Sequence, residues 1–96
     1  MAELPEAAAR LAATLFEDER LHGDYLASAV LALALLDLAR DSRSAAKRLS
    51  TAHALVLRAV AMLGAEPPLL TLDRRDPRTQ RQFYAPATLA LSFIAD

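Results

Sequence analysis

Four groupings in this 96-residue chain hold side chains that could do chemistry. His53 is the first: it falls beside Leu49, Leu57 and Val60 on an expected helix, at the edge of an apolar stripe. A histidine there serves as a core-edge hydrogen-bonding residue or as a proton carrier or nucleophile. Glu19-Arg20-Leu21-His22 is the second. Its Glu-x-x-His spacing projects a carboxylate and an imidazole from adjacent turns, the arrangement that helical di-metal sites use. Such a site needs two of these motifs and two further glutamates. Ser50 stands where a glutamate would have to precede His53, so the second motif is missing and neither metal nor cofactor is expected. Asp37 is the third. It shares a helical stripe with Leu26, Val30 and Leu33, where a carboxylate needs a cation, and Arg40 one turn on can supply it. The chain has no cysteine and only two glycines. Thiolate chemistry and a glycine-rich phosphate loop are therefore both excluded.

Two resemblances surround His53. Arg48-Leu49-Ser50-Thr51-Ala52-His53 is similar to the Arg-x4-His pattern of the HEPN ribonucleases, which are dimeric helical bundles. The resemblance implies an RNA- or nucleotide-acting helical enzyme that uses Arg48 and His53. That family usually has a polar residue after the arginine, and here it is Leu49. Residues five apart on a regular helix also point about 140° away from each other. The run His53-Ala54-Leu55 in a basic helix resembles histidine phosphotransfer domains, which implies a phosphoacceptor role for His53. Those domains place Lys and Gly three and four residues after the histidine, where this chain has Val56 and Leu57.

The fourth grouping runs from Asp73 to Tyr84. Arg74, Arg75, Arg78 and Arg81 offer guanidinium groups to a partner, and Phe83 and Tyr84 offer rings that could stack. Asp73 and Asp76 halve the positive charge, and no basic stripe continues beyond the segment. A loop docked by its aromatics, or an arm that binds a protein partner, therefore suits it better than a nucleic-acid surface.

The elements that must position these groups are expected to be helical. Hydrophobic residues make up 54% of the chain and aromatics only 5%. Leu and Ala dominate, both residues that lose little freedom in a helix, and β-branched residues are few. An all-α fold follows: one domain, a compact bundle of three main helices over about 5–22, 24–40 and 44–63. Leu26–Leu36 is apolar on nearly every face, which marks it as a central helix that the others wrap. It is too short to cross a bilayer, which takes ~20 residues. Leu4, Ala8, Leu11 and Leu15 form the stripe of the first helix, which Gly23 is placed to end. Ala45, Leu49, Ala52, Val56, Ala59 and Leu63 form the seam of the third, stopped by Gly64 and the prolines at 67 and 68. No Gly or Pro lies between Gly23 and Gly64, so one continuous helix is the alternative to two.

Residues 66–84 read as an extended docking segment, with one or two helical turns over Pro77–Gln82 after the Asp76-Pro77 cap. Residues 86–96 read as a short helix, although Leu89, Leu91 and Phe93 also alternate as in a strand. The net charge of −1 and the lack of an N-terminal basic-then-apolar run point to a soluble cytoplasmic protein.

Surplus apolar surface sets the functional expectation. Leu55 and Met62 lie at the margin of the polar face of the third helix, and Leu36 lies on a third side of the second. Either a second copy covers them, as in a homodimer, or the C-terminal segment does so through Leu89, Phe93 and Ile94. A small non-enzymatic protein–protein interaction module, homo-oligomeric or an accessory subunit, is the function these residues suggest.

Overall fold

The computed structural model describes residues 4–95. In chain order it contains α1 (Glu6–Phe16), a 3-10 turn (Glu19–Leu21), α2 (Tyr25–Leu35), α3 (Ser42–Leu49), α4 (His53–Gly64), β1 (Leu70–Arg75), β2 (Gln82–Pro86) and a one-turn α5 (Thr88–Leu91). The fold is therefore α+β: four helices of two turns or more, the one-turn α5 and a two-stranded antiparallel sheet. This corrects the all-α expectation.

The core is built around α2. Every residue from Ala27 to Leu35 is buried, which is what a helix apolar on all faces requires. Helices α1 and α4 and strand β2 pack around it, and α3 and β1 lean on α4. Ala8, Ala12 and Leu15 face it from α1, Val56, Ala59, Val60 and Leu63 from α4, and Leu70 and Tyr84 from the hairpin.

The first two expected helices end early, each for a local reason. The first stops at Phe16 instead of residue 22 because the Asp18 carboxylate accepts the Arg20 N–H at 2.9 Å and starts a separate 3-10 turn. Left-handed His22 and Gly23 (φ 53° and 68°) then reverse the chain. Asp24 caps α2 by accepting the Ala27 N–H at 3.0 Å. That helix ends at Leu35 through left-handed Asp37, with the Leu38 N–H donating back to the Leu33 carbonyl at 2.8 Å. Asp37 therefore leaves the buried stripe. It sits in solvent, 3.2 Å from Arg40, which also donates to the Ala34 carbonyl.

The expected third helix is two helices. Ser50 takes a left-handed conformation (φ 49°), and residues 50–52 turn the chain between α3 and α4. A single helix spanning both is excluded by this turn and by the one at Asp37. Neither break uses glycine. In both, a short polar side chain tolerates the conformation and the burial on either side holds it.

The hairpin is the largest departure. Leu70 pairs with Pro86, Thr71 with Ala85 and Leu72 with Tyr84, and an irregularity follows before Arg75 pairs with Gln82. Its loop contains the expected Asp76 cap, which accepts the Arg78 N–H at 2.9 Å, and a single α-turn from Gln80 back to Asp76, but no helix. On its other edge, β2 meets the chain before α3: Asp41 bridges to Phe83, and the Tyr84 N–H donates to the Arg40 carbonyl at 3.0 Å. The C-terminal helix is one turn long instead of spanning 86–96, and Asp96 lies outside the described residues. Among the described residues, no helix is long and apolar enough to cross a membrane.

Candidate functional site

Asp41, just before α3, orients the site. One carboxylate oxygen accepts the Ser44 N–H at 2.9 Å and the other the Ser44 hydroxyl at 2.7 Å. The cap fixes Ser42 at the first position of α3, beneath β2, where it is fully buried. Its Oγ accepts the Gln82 N–H at 2.9 Å and lies 2.7 Å from Nε2 of His53, the first residue of α4. One hydroxyl thus joins α3, α4 and β2.

Hydrogen-bond accounting assigns the imidazole tautomer. With Gln82 donating to Ser42 Oγ, the hydroxyl proton needs an acceptor, and among the described residues only His53 Nε2 is placed to be one. Nε2 therefore accepts, and the ring proton resides on Nδ1. Burial, followed by the positive charges of Arg43, Arg75 and Arg81, pushes the imidazole below its ordinary pKa, against an opposite pull from Asp41. The ring is neutral at pH 7.

Gln82 completes the hub. Its side-chain amide donates to the carbonyls of Asp73, Arg74 and Phe83 at 2.9–3.2 Å. These include backbone acceptors at the irregularity in the β1–β2 ladder, so the amide substitutes for the strand partner they lack.

Beside His53 a cleft of about 660 Å³ opens between α3, the turn at 50–52 and the hairpin loop. Arg43, Lys47 and Arg81 line it. Arg81 Nε lies 3.2 Å from Asp41 in an ion pair, but without the alignment of a hydrogen bond. Arg43 donates to the Thr79 carbonyl at 3.0 Å.

Arg48 and His53 are not brought together. The Arg48 guanidinium donates to the Leu38 carbonyl at 3.1 Å and takes no part in the cleft. The basic groups that act on His53 are Arg43, Arg75 and Arg81. Ser42 is buried with its hydroxyl engaged on two sides, so it positions His53 and does not present a nucleophile. His22 is exposed beyond the 3-10 turn, and among the described residues no three His, Asp or Glu side chains are grouped to hold a metal ion.

The residues of the proposed arm separate. Arg74 stacks on Phe83 with its guanidinium carbon 3.9 Å from the ring centre. Tyr84 is 4% exposed and belongs to the core, where burial and then the charge of Asp41 raise its phenol well above the ordinary value. Arg78 stays at the exposed tip of the loop. Phe83 is thus covered by an arginine and Tyr84 by the core, which leaves neither ring open for stacking on a base.

A second surface lies on the opposite side of α4. Leu55, 44% exposed, and half-buried Met62 line a groove of about 430 Å³ with Leu26, Ala59, Asp24 and Arg58. Leu26 also borders a neighbouring depression formed by Leu4, Ala9, Tyr25 and Leu49. Leu36 is half-buried against the core and lies outside both.

Ser42, Gln82, Arg43 and Lys47 were not singled out by their sequence context. The only local signal at Ser42 is the run Asp41-Ser42-Arg43-Ser44, residues that favour caps and turns over helix interiors. Its burial depends on a strand 40 residues away. No family model matches the chain, and no curated protein or solved structure is found to be similar to it.

Proposed function

We propose that this protein is a homodimeric protein–protein interaction module that pairs through the groove between α2 and α4. The observation that carries the reading is Leu55, a large apolar side chain left 44% exposed beside Met62 and Leu26. The C-terminal segment does not supply the cover. Leu89 and Ile94 are themselves exposed, and Phe93 packs elsewhere, under Arg20 at 4.6 Å.

Charge favours a second copy as the occupant. Asp24 and Arg58 border the same groove with opposite signs, so a two-fold axis through it sets each against its counterpart. Size extends the contact. A stable interface takes roughly 800 Å² from each partner, more than Leu55 and Met62 provide. The interface therefore continues over Leu26 to Tyr25, which is half-exposed and meets Phe16 edge-on with ring centres 5.9 Å apart.

Light scattering at micromolar concentration tests the reading and should return a dimer mass. Leu55→Glu combined with Met62→Glu should halve that mass while leaving the circular dichroism spectrum unchanged. A monomer in the unsubstituted protein overturns the proposal.

A further inference from the structure

We propose that the cleft between α3, the N-terminus of α4 and the hairpin loop binds a phosphate group, either free or as the monoester of a small molecule. The inference stands apart from the dimer, whose groove lies on another face of α4.

The cleft presents donors and no free acceptor of negative charge. Arg43, Lys47 and Arg81 converge on it from two elements distant in sequence, and no Asp or Glu lines it. The nearest carboxylate, Asp41, is committed on both oxygens to the Ser44 cap and to Arg81. The cations retain unused capacity. Lys47 has no partner among the described residues, Arg43 spends one N–H on Thr79, and Arg81 turns only its Nε to Asp41. A phosphate oxygen is the acceptor that such a convergence of cations fits, with guanidinium groups matching it two N–H groups at a time.

Two further features face the same way. Ala52 offers no side-chain cap to α4, so the N–H groups of His53 and Ala54 have no capping side chain at the positive end of the helix dipole, while the Leu55 N–H bonds the Ala52 carbonyl. Ser42 holds Nε2 of His53, which leaves the ring's N–H-bearing nitrogen as a donor beside the cleft. The three arginines that depress the imidazole pKa would be partly neutralised by a bound dianion, so binding draws a proton onto His53.

Titration of the full-length protein with inorganic phosphate, followed by amide chemical shifts, reads the site directly. Saturable shifts confined to Ser50, Thr51, His53 and the Arg81 region are expected, with an affinity on the order of 1 mM. Phenyl phosphate tests the monoester. Tighter binding than inorganic phosphate assigns the cleft to a phosphorylated small molecule, and equal or weaker binding assigns it to free phosphate. Lys47→Gln changes an exposed side chain with no partner to lose, and should weaken binding roughly tenfold with the fold intact. Arg43→Gln should do the same. Sulfate, which does not titrate near neutrality, should bind more tightly as pH falls through the histidine range in the native protein and lose that dependence in His53→Asn.

Three results overturn the proposal: no saturable shift with phosphate, the same shifts from sodium chloride at equal ionic strength, or unchanged affinity in Lys47→Gln and Arg43→Gln together. Preferential binding of an RNA oligomer lacking terminal phosphates would also overturn it, in favour of an extended phosphodiester surface.

Discussion

Ser42 Oγ and His53 Nε2 lie 2.7 Å apart, and the same hydroxyl accepts the backbone N–H of Gln82 from the hairpin. A residue at the start of α3 thus holds the first residue of α4 and the first residue of β2 through one oxygen. The contact decides how two helices and a sheet meet, and it sets the chemical state of the histidine beside the cationic cleft.

Ser42→Ala leaves the Gln82 N–H and the imidazole nitrogen unsatisfied in a buried place. A loss of about 1–3 kcal/mol is expected, because the desolvation cost of the orphaned groups is no longer offset. Urea denaturation should show a lower midpoint with an unchanged slope. Hydrogen exchange should quicken first at Gln82 and at the start of α4.

His53 makes stability fall with acid. Its folded-state pKa is depressed by burial and by Arg43, Arg75 and Arg81, with Asp41 pulling the other way. The unfolded chain takes up a proton at about pH 6.5, before the folded protein does. The contribution is therefore complete above that pH and is lost as pH falls toward the folded-state value. Thermal midpoints measured from pH 7.5 down to the onset of carboxylate titration should decline in the native protein. The decline should be smaller in His53→Asn. Equal slopes in the two proteins would assign the decline to other groups.

Asp18 and Arg20 make a second test of the same sign, at lower pH. Arg20 donates to the Asp18 carboxylate through its Nε, its Nη2 and its backbone N–H, each at 2.9 Å. The side-chain bonds and then the backbone bond hold that carboxyl at about 2. Its stabilisation is present above the ordinary carboxylate value and is lost as pH falls through about 2. At neutral pH Asp18→Asn should cost about 0.5–1 kcal/mol, since the pair is partly exposed and the cap is short. Arg20 also stacks on Phe93, so ring chemical shifts of Phe93 should move in the same variant.

Much of the architecture follows from residue type and spacing. The all-apolar run from Leu26 to Leu36 has to lie inside, and Ala27–Leu35 does. Of the six residues on the expected four-three seam, Ala45, Val56, Ala59 and Leu63 are buried, whereas Leu49 is half-buried and Ala52 is exposed where the helix breaks. The cap at Asp24 and the reversal at Gly23 are local interactions, complete within a few residues, and so follow from residue type and position.

The hairpin was not legible. Its six-residue loop has no two-residue turn signal, Leu69-Leu70-Thr71-Leu72 is too short to show a period, and Asp73 to Tyr84 reads as a docking loop or a partner-binding arm. These residues become a strand only because β2 is beside them, the Gln82 amide satisfies the carbonyls left open at the irregular pairing, and Leu69 and Leu70 find apolar cover. The breaks at Asp37 and Ser50 are of the same kind. A left-handed serine or aspartate is unfavourable in isolation and is held by the burial of α2, α3 and α4 on either side. His53 and the arginines were visible as residues with chemistry to offer. Which arginines meet the histidine was settled by contacts spanning up to 40 residues, for which neighbouring positions carry no signal. Short-range hydrogen bonds and apolar periodicity determined the helices and their inward faces. Long-range pairing decided the sheet, the helix breaks and the company His53 keeps.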